Sequence, residues 1–235
     1  LKKHKCTIEE MEEYEPYIAM DCSIFAGVDY EAILREAEKE SDIILWDGGN
    51  NDFSFYLPDL EIVIVDPHRA GDELSYYPGE VNFKRADVIV INKMDTAEDS
   101  AVQRVKENIQ SCNPSAIVIE AGSPVFAEDG QKISGQRVLV VEDGPTLTHG
   151  GMKYGAGTLA AKQYGAKEIV DPRPWLTGTL LETFKKYPEI GNLLPAMGYG
   201  KEQVNDLEKT INATDCDCVI IGTPIDLTRV IDIQK

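Results

Sequence analysis

From residue 30 onward the chain alternates two hydrophobic periods. Residues 30–40 (YEAILREAEKE) space their apolar side chains as one face of a helix requires, whereas 42–46 (DIILW) is a short apolar run ending at Asp47 and two glycines. A second run, 60–65, ends at Asp66-Pro67-His68, and a third, 86–91 (ADVIVI), leads directly into Asn92-Lys93-Met94-Asp95. The pattern then predicts a helix over 98–110 and a strand over 116–120. Continuous apolar strands separated by helices specify a parallel sheet covered on both faces.

Residues 124–136 are polar and glycine-containing, which places a domain boundary there: 1–130 as the C-terminal part of a nucleotide-binding domain and 131–235 as a second domain. The second half repeats the logic. A strand over 137–141 enters a long glycine-rich loop, 142–157, followed by a helix over 158–164 and a strand near 169–170. A polar helix over 201–213 precedes a strand over 218–221 and a Gly222-Thr223-Pro224 turn. This second part reads as a smaller Rossmann-like α/β unit.

Composition narrows the partners. The 235 residues suffice for one large or two modest domains, and 43% hydrophobic with 27% charged residues is ordinary for a globular protein. A net charge of -18 repels nucleic acid phosphates and anionic lipid, so neither nucleic acid nor membrane is expected as a partner. Five scattered cysteines without a secretory signal suggest a reducing, cytoplasmic setting. Cys216 and Cys218, two apart on a strand, read as buried hydrophobes on one face.

The strongest chemical signal is Asn92, Lys93 and Asp95 directly after a strand. An Asn amide can bond the guanine ring edge, a Lys stem can cover the base plane, and an Asp carboxylate accepts from guanine N1–H and N2–H₂, a donor pair adenine lacks. The alternative is an ordinary strand-to-helix turn. Asp47, followed by Gly48 and Gly49, fits a carboxylate holding Mg²⁺ through water while glycine N–H groups approach a terminal phosphate; Asn50 adds a polar ligand at the same strand end. No G-x-x-x-x-G-K-[ST] stretch occurs in the sequence. In the second half, Thr146, Thr148, His149, Gly150, Gly151, Gly155 and Gly157 lie between a strand and a helix N-terminus, where N–H groups and the helix dipole favour an anion. His149 is the candidate proton-transfer group there, beside Asp47 as the candidate catalytic carboxylate of the first half.

The segments WDGGNND (46–52), VDPHRAGDELSYYPGEVNFKRADVIVINKMD (65–95) and EDGPTLTHGGMKYGAG (142–157) resemble the predicted P-loop GTPases related to cyclic 2,3-diphosphoglycerate synthetases. The stretch 66–95 is also similar to the GTPase class of the urease and hydrogenase nickel-insertion chaperones. The resemblance implies an α/β, parallel-sheet P-loop GTPase-type domain lacking its phosphate loop here, then the Rossmann-like domain. It implies GTP (or ATP) and Mg²⁺ as cofactors, base binding by Asn92, Lys93 and Asp95, and Asp47, Gly48 and Gly49 facing metal and phosphate.

Three functions follow as expectations. The leading one is a GTPase coupling hydrolysis to a second, phosphorylated or carboxylated ligand. The alternative is a synthetase that spends a nucleoside triphosphate to close a cyclic phosphoanhydride on 2,3-diphosphoglycerate, and the third is a non-catalytic nucleotide- or phosphate-binding module. A homo-oligomer is compatible with each. Because the backbone cradle and lysine for the β- and γ-phosphates are missing from the sequence, the 235 residues alone should release no phosphate from GTP above background. A malachite-green assay on the purified chain, cleared of contaminating GTPase, checks this.

Overall fold

The computed structural model describes residues 6, 8–49, 52–148, 153–197 and 200–235, and contacts group the chain into two units: Phe25–Pro124, and Leu1–Ile24 together with Val125–Lys235. The break at 124–125 lies at the start of the polar stretch, and the N-terminal residues, expected to group with the nucleotide-binding domain, join the C-terminal unit instead. The reason is helix α1 (Ile8–Ala19): Met11 packs against the C-terminal unit's core and Glu15 pairs with Arg229.

The central unit begins with α2 (Tyr30–Ala37), whose N-terminus is capped by Asp29 Oδ1 accepting from the Ala32 N–H at 3.0 Å. It continues with β1 (Ile62–Val65), α3 (Gly79–Arg85), β2 (Val88–Ile91), α4 (Asp99–Cys112) and β3 (Ile117–Glu120). The three strands pair in the order β1-β2-β3, all parallel, with Val65, Ile91 and Glu120 in register. Phe83 from α3 and Val105 and Ile109 from α4 bury one face of the sheet against Val65, Ile89 and Ile91. Asn113, buried at the end of α4, ties the helices together: its Nδ2 donates to the carbonyls of Phe83 (3.1 Å) and Ala86 (2.9 Å).

Two expectations for this unit fail. Residues 42–46 form no strand, and Ile43 and Leu45 are 79% and 83% exposed. A strand is held by a neighbour's ladder, and 42–46 makes none with β1, which pairs with β2 alone among the described residues. Trp46 instead packs edge-on against Tyr30 and Tyr56, and Tyr30 stacks on Phe55. Coverage of the sheet's second face is incomplete among the described residues: Ile62, Ile64, Ile117 and Ile119 are each 47–64% exposed there, although Val88 between them is 7% exposed.

The C-terminal unit is built on β4 (Arg137–Asp143), whose Val138, Leu139, Val140 and Val141 are fully buried. Next come α5 (Gly144–Thr148), α6 (Ala156–Gln163), β5 (Glu168–Ile169), α7 (Thr179–Lys186), β6 (Leu194–Ala196), α8 (Lys201–Ala213) and β7 (Cys218–Gly222). All pairings are parallel; β7 runs along one edge of β4, while β5 and β6 share the other. Leu180 and Phe184 of α7 and Leu207 and Ile211 of α8 close the core. Cys216 and Cys218 are half-buried against it, and burial pushes both thiols up.

Replacing Asn113 with Ala leaves two buried carbonyls without their donor. The change should cost about 1–3 kcal/mol of stability, read as a lower urea midpoint with an unchanged slope.

Candidate functional site

Parallel register brings the carboxyl ends of β1, β2 and β3 side by side, so the residues that follow them meet: Asp66–His68, Asn92–Thr96 and 121–123. Backbone bonds extend the ladder one step beyond the strands. The Asn92 N–H donates to the Val65 carbonyl (3.0 Å), the Ala121 N–H to the Ile91 carbonyl (2.9 Å) and the Met94 N–H to the Ala121 carbonyl (3.0 Å). Ligands of open α/β sheets bind at such strand ends.

Each side chain of the base-reading motif has a definite place. Asp95 is exposed, and its Oδ1 accepts the Ser123 N–H at 2.8 Å, which fixes the carboxylate plane and turns the other oxygen to a different direction. Gly122 lies beneath it; a Cβ there would sit 3.6 Å from Oδ1. Lys93 has φ of 55°, a left-handed conformation that costs a residue with a side chain roughly 1–2 kcal/mol. Strain of this kind concentrates where geometry is functional. Its Nζ pairs with Asp66 Oδ2 at 2.6 Å, so the ammonium is anchored at the end of β1 rather than left in solvent. His68 Nε2 lies 3.0 Å from Thr96 Oγ1, and Thr96 Oγ1 in turn reaches the Lys93 carbonyl at 3.3 Å. Asn92 is half-buried beside them.

The sequence reading did not include Asp66 or Ser123 in the site. Asp66 is legible only as the acid that ends an apolar strand; Ser123 contributes through its backbone, which leaves no trace in the choice of side chain.

Asp47, Gly48 and Gly49 lie on the exposed segment after Trp46. Gly48 is pressed against that ring, since a Cβ would come within 2.8 Å of Trp46 Nε1, and the Gly49 carbonyl accepts from the Asp52 N–H at 3.1 Å. No described hydrogen bond or ion pair joins these residues to Asn92–Thr96. Asn50 lies outside the described residues. Among the described residues no group of three or more His, Cys, Asp or Glu is arranged to hold a metal. A single carboxylate such as Asp47 suits Mg²⁺ held mainly by nucleotide oxygens and water.

In the C-terminal unit the loop expected to receive an anion holds one of its own. Glu142, fully buried at the end of β4, turns its carboxylate into the N-terminus of α6. Its Oε1 accepts from the Gly155 N–H (3.0 Å), the Thr158 N–H (2.8 Å) and the Thr158 hydroxyl (2.7 Å), and its Oε2 from the Gly157 N–H (3.2 Å). The N–H groups of Gly155 and Gly157 are therefore engaged internally, because a buried carboxylate satisfies a helix N-terminus better than a solvated ion can. The expected continuous loop is also broken by α5, whose Thr148 Oγ1 donates to the Gly144 carbonyl at 2.8 Å. Gly144 packs on the Ala196 carbonyl of β6, 2.5 Å from where a Cβ would sit. The Thr146 backbone lies in α5; its side chain, like His149, Gly150 and Gly151, lies outside the described residues.

Residues 37–120, within the central unit, match the family model described as CobW/HypB/UreG, nucleotide-binding domain. The whole chain is 64% identical over 235 residues to arginine synthetase ArcE of Thermococcus kodakarensis, and spans 52% of that relative's length. No helix among the described residues is long and apolar enough to cross a membrane.

If Asp95 reads guanine N1–H and N2–H₂, Asp95→Asn in the longer protein should weaken GTP by about 2–4 kcal/mol, because a donor then faces donors. ATP should change much less. Calorimetric titration of both nucleotides checks this; equal losses would make the motif a structural turn.

Proposed function

We propose that this chain is the nucleotide-binding part of a nucleoside triphosphate-dependent synthetase. The observation that carries the reading is the 64% identity to arginine synthetase along all 235 residues, which extends well beyond the nucleotide-binding match and takes in the C-terminal unit. In this reading Asn92, Lys93 and Asp95 hold the base, with Asp66 and Ser123 positioning the last two. Asp47, Gly48, Gly49 and Asn50 face the terminal phosphate and a Mg²⁺ ion, which when bound neutralises the charge that develops during phosphoryl transfer. The loop carrying Thr146, Thr148, His149, Gly150 and Gly151 serves an anionic co-substrate.

The chemistry common to such synthetases is transfer of a phosphoryl group to a substrate oxygen, which turns that oxygen into a leaving group. A nitrogen nucleophile then completes a guanidinium, as arginine formation requires, or a neighbouring phosphate closes a cyclic anhydride, as in the 2,3-diphosphoglycerate alternative. The Asn-Lys-x-Asp geometry favours GTP over ATP and is the specific support for the plain GTPase as second reading.

The test is product analysis on the longer protein with GTP or ATP and Mg²⁺, offering a ureido amino acid with ammonium in one arm and 2,3-diphosphoglycerate in another. The expected result is nucleoside diphosphate formed in step with arginine or, for the alternative, with the cyclic anhydride. Nucleotide hydrolysis with no second product in either arm would leave the GTPase reading standing and remove the synthetase.

A further inference from the structure

Among the described residues of the central unit, Lys93 is the one non-glycine residue with positive φ, so the turn it opens must be held from outside. Its carbonyl is where that turn closes. It accepts the Thr96 N–H and the Ala97 N–H, each at 3.1 Å, and the Thr96 hydroxyl at 3.3 Å. Asp95, the residue that would read guanine, lies inside this turn. A hydroxyl has one hydrogen. With that hydrogen given to the carbonyl, Thr96 Oγ1 accepts at 3.0 Å from His68, which places the imidazole hydrogen on Nε2. His68 is held in place by Asp66, whose Oδ1 accepts the His68 N–H at 3.0 Å while its Oδ2 holds Lys93 Nζ at 2.6 Å. The turn after β1 therefore grips the base motif twice, once at the Lys93 side chain and once, through Thr96, at the Lys93 backbone. From the other side the Ser123 N–H, after β3, holds Asp95.

We propose that His68 is a positioning residue for guanine recognition, acting through Thr96 on the turn that aims Asp95. The proposal rests on the base-binding reading of Asn92, Lys93 and Asp95 and adds to it a side chain from a different strand end. His68 and Thr96 are both exposed, and an exposed neutral hydrogen bond adds little to folding because water replaces it when it breaks. Its effect is felt where a small rotation matters, at a carboxylate that must meet guanine N1–H and N2–H₂ together. Inosine diphosphate keeps N1–H and lacks N2–H₂, so it reports loss of alignment separately from loss of binding.

The test measures the affinities of the longer protein for GDP and inosine diphosphate by calorimetric titration. His68→Ala and Thr96→Val should each weaken GDP about three- to tenfold and inosine diphosphate less, with the urea midpoint unchanged. His68→Gln, whose amide N–H reaches as far as Nε2, should restore the parent's preference for GDP, and Thr96→Ser should keep it. His68→Ala combined with Thr96→Val should lose no more than either alone, since both cut the same link. Equal losses for the two nucleotides, a His68→Gln variant as weak as His68→Ala, or additive losses in the double variant would each overturn the proposal. Asp95→Asn separates it from the reading beneath it. If Asp95→Asn leaves the preference for GDP intact, the base assignment falls and His68 with it. If Asp95→Asn abolishes the preference while His68→Ala leaves it unaltered, the role of His68 alone falls.

Discussion

In-register parallel pairing is the constraint on which both units rest. Once Val65, Ile91 and Glu120 are level, the turns that follow them have nowhere to go but against one another, and Asp66, Lys93, Asp95 and Ser123 become neighbours although up to 57 residues separate them in sequence. The same holds for β4, where Val141 pairs with both Leu194 and Ile221 and so brings Glu142, Gly222 and the start of β6 to one end of the sheet. Chemistry at strand ends is in this sense a by-product of hydrogen-bond ladders made far from it.

A second device recurs in the C-terminal unit: helix N-termini are satisfied by acids reaching from another element. Glu142 on β4 fills the end of α6, and Asp206 on α8 accepts the Thr179 N–H (2.9 Å) and hydroxyl (3.1 Å) at the start of α7. Both acids are buried, and each replaces a local capping side chain. They tie a helix to the sheet or to its neighbour at the point where the helix would otherwise fray, and they place negative charge where the helix dipole is favourable.

Much of this was legible in the sequence. Within ADVIVI and RVLVV the apolar, largely β-branched residues 88–91 and 138–141 follow one another without polar interruption, and they lie in β2 and β4; the polar helix at 201–213 formed over those residues, as α8. Other elements were hidden by their own residues. A proline as in Leu-Pro-Ala argues against a strand, yet β6 pairs with β4 over only three positions, where one absent N–H matters little. The acid-rich α1 contains Pro16 and is held by Glu15, which pairs with Arg229, 214 residues away, and by Met11 packed on the core. For the site, the letters Asn-Lys-x-Asp mark the end of β2, but the partners of that motif follow two other strands and one of them acts through its backbone. Glu142 was hidden differently: it read as the first residue of a ligand loop, and its carboxylate is held by Gly155, Gly157 and Thr158 at the far end of that loop.

The close approach of α6 to β7 carries a consequence for how this sequence can change over time. A Cβ on Gly222 would lie 2.5 Å from the Gly157 nitrogen and 2.6 Å from Glu142 Oε2, and a Cβ on Gly155 would lie 2.5 Å from that same oxygen. Three glycines and one acid therefore share a single volume. A larger residue at any of the glycines expels the carboxylate, and a shorter side chain at 142 opens a void around unsatisfied N–H groups. Substitutions here are accessible only in concert, so the four positions behave as one heritable unit, with single steps between alternative solutions closed off.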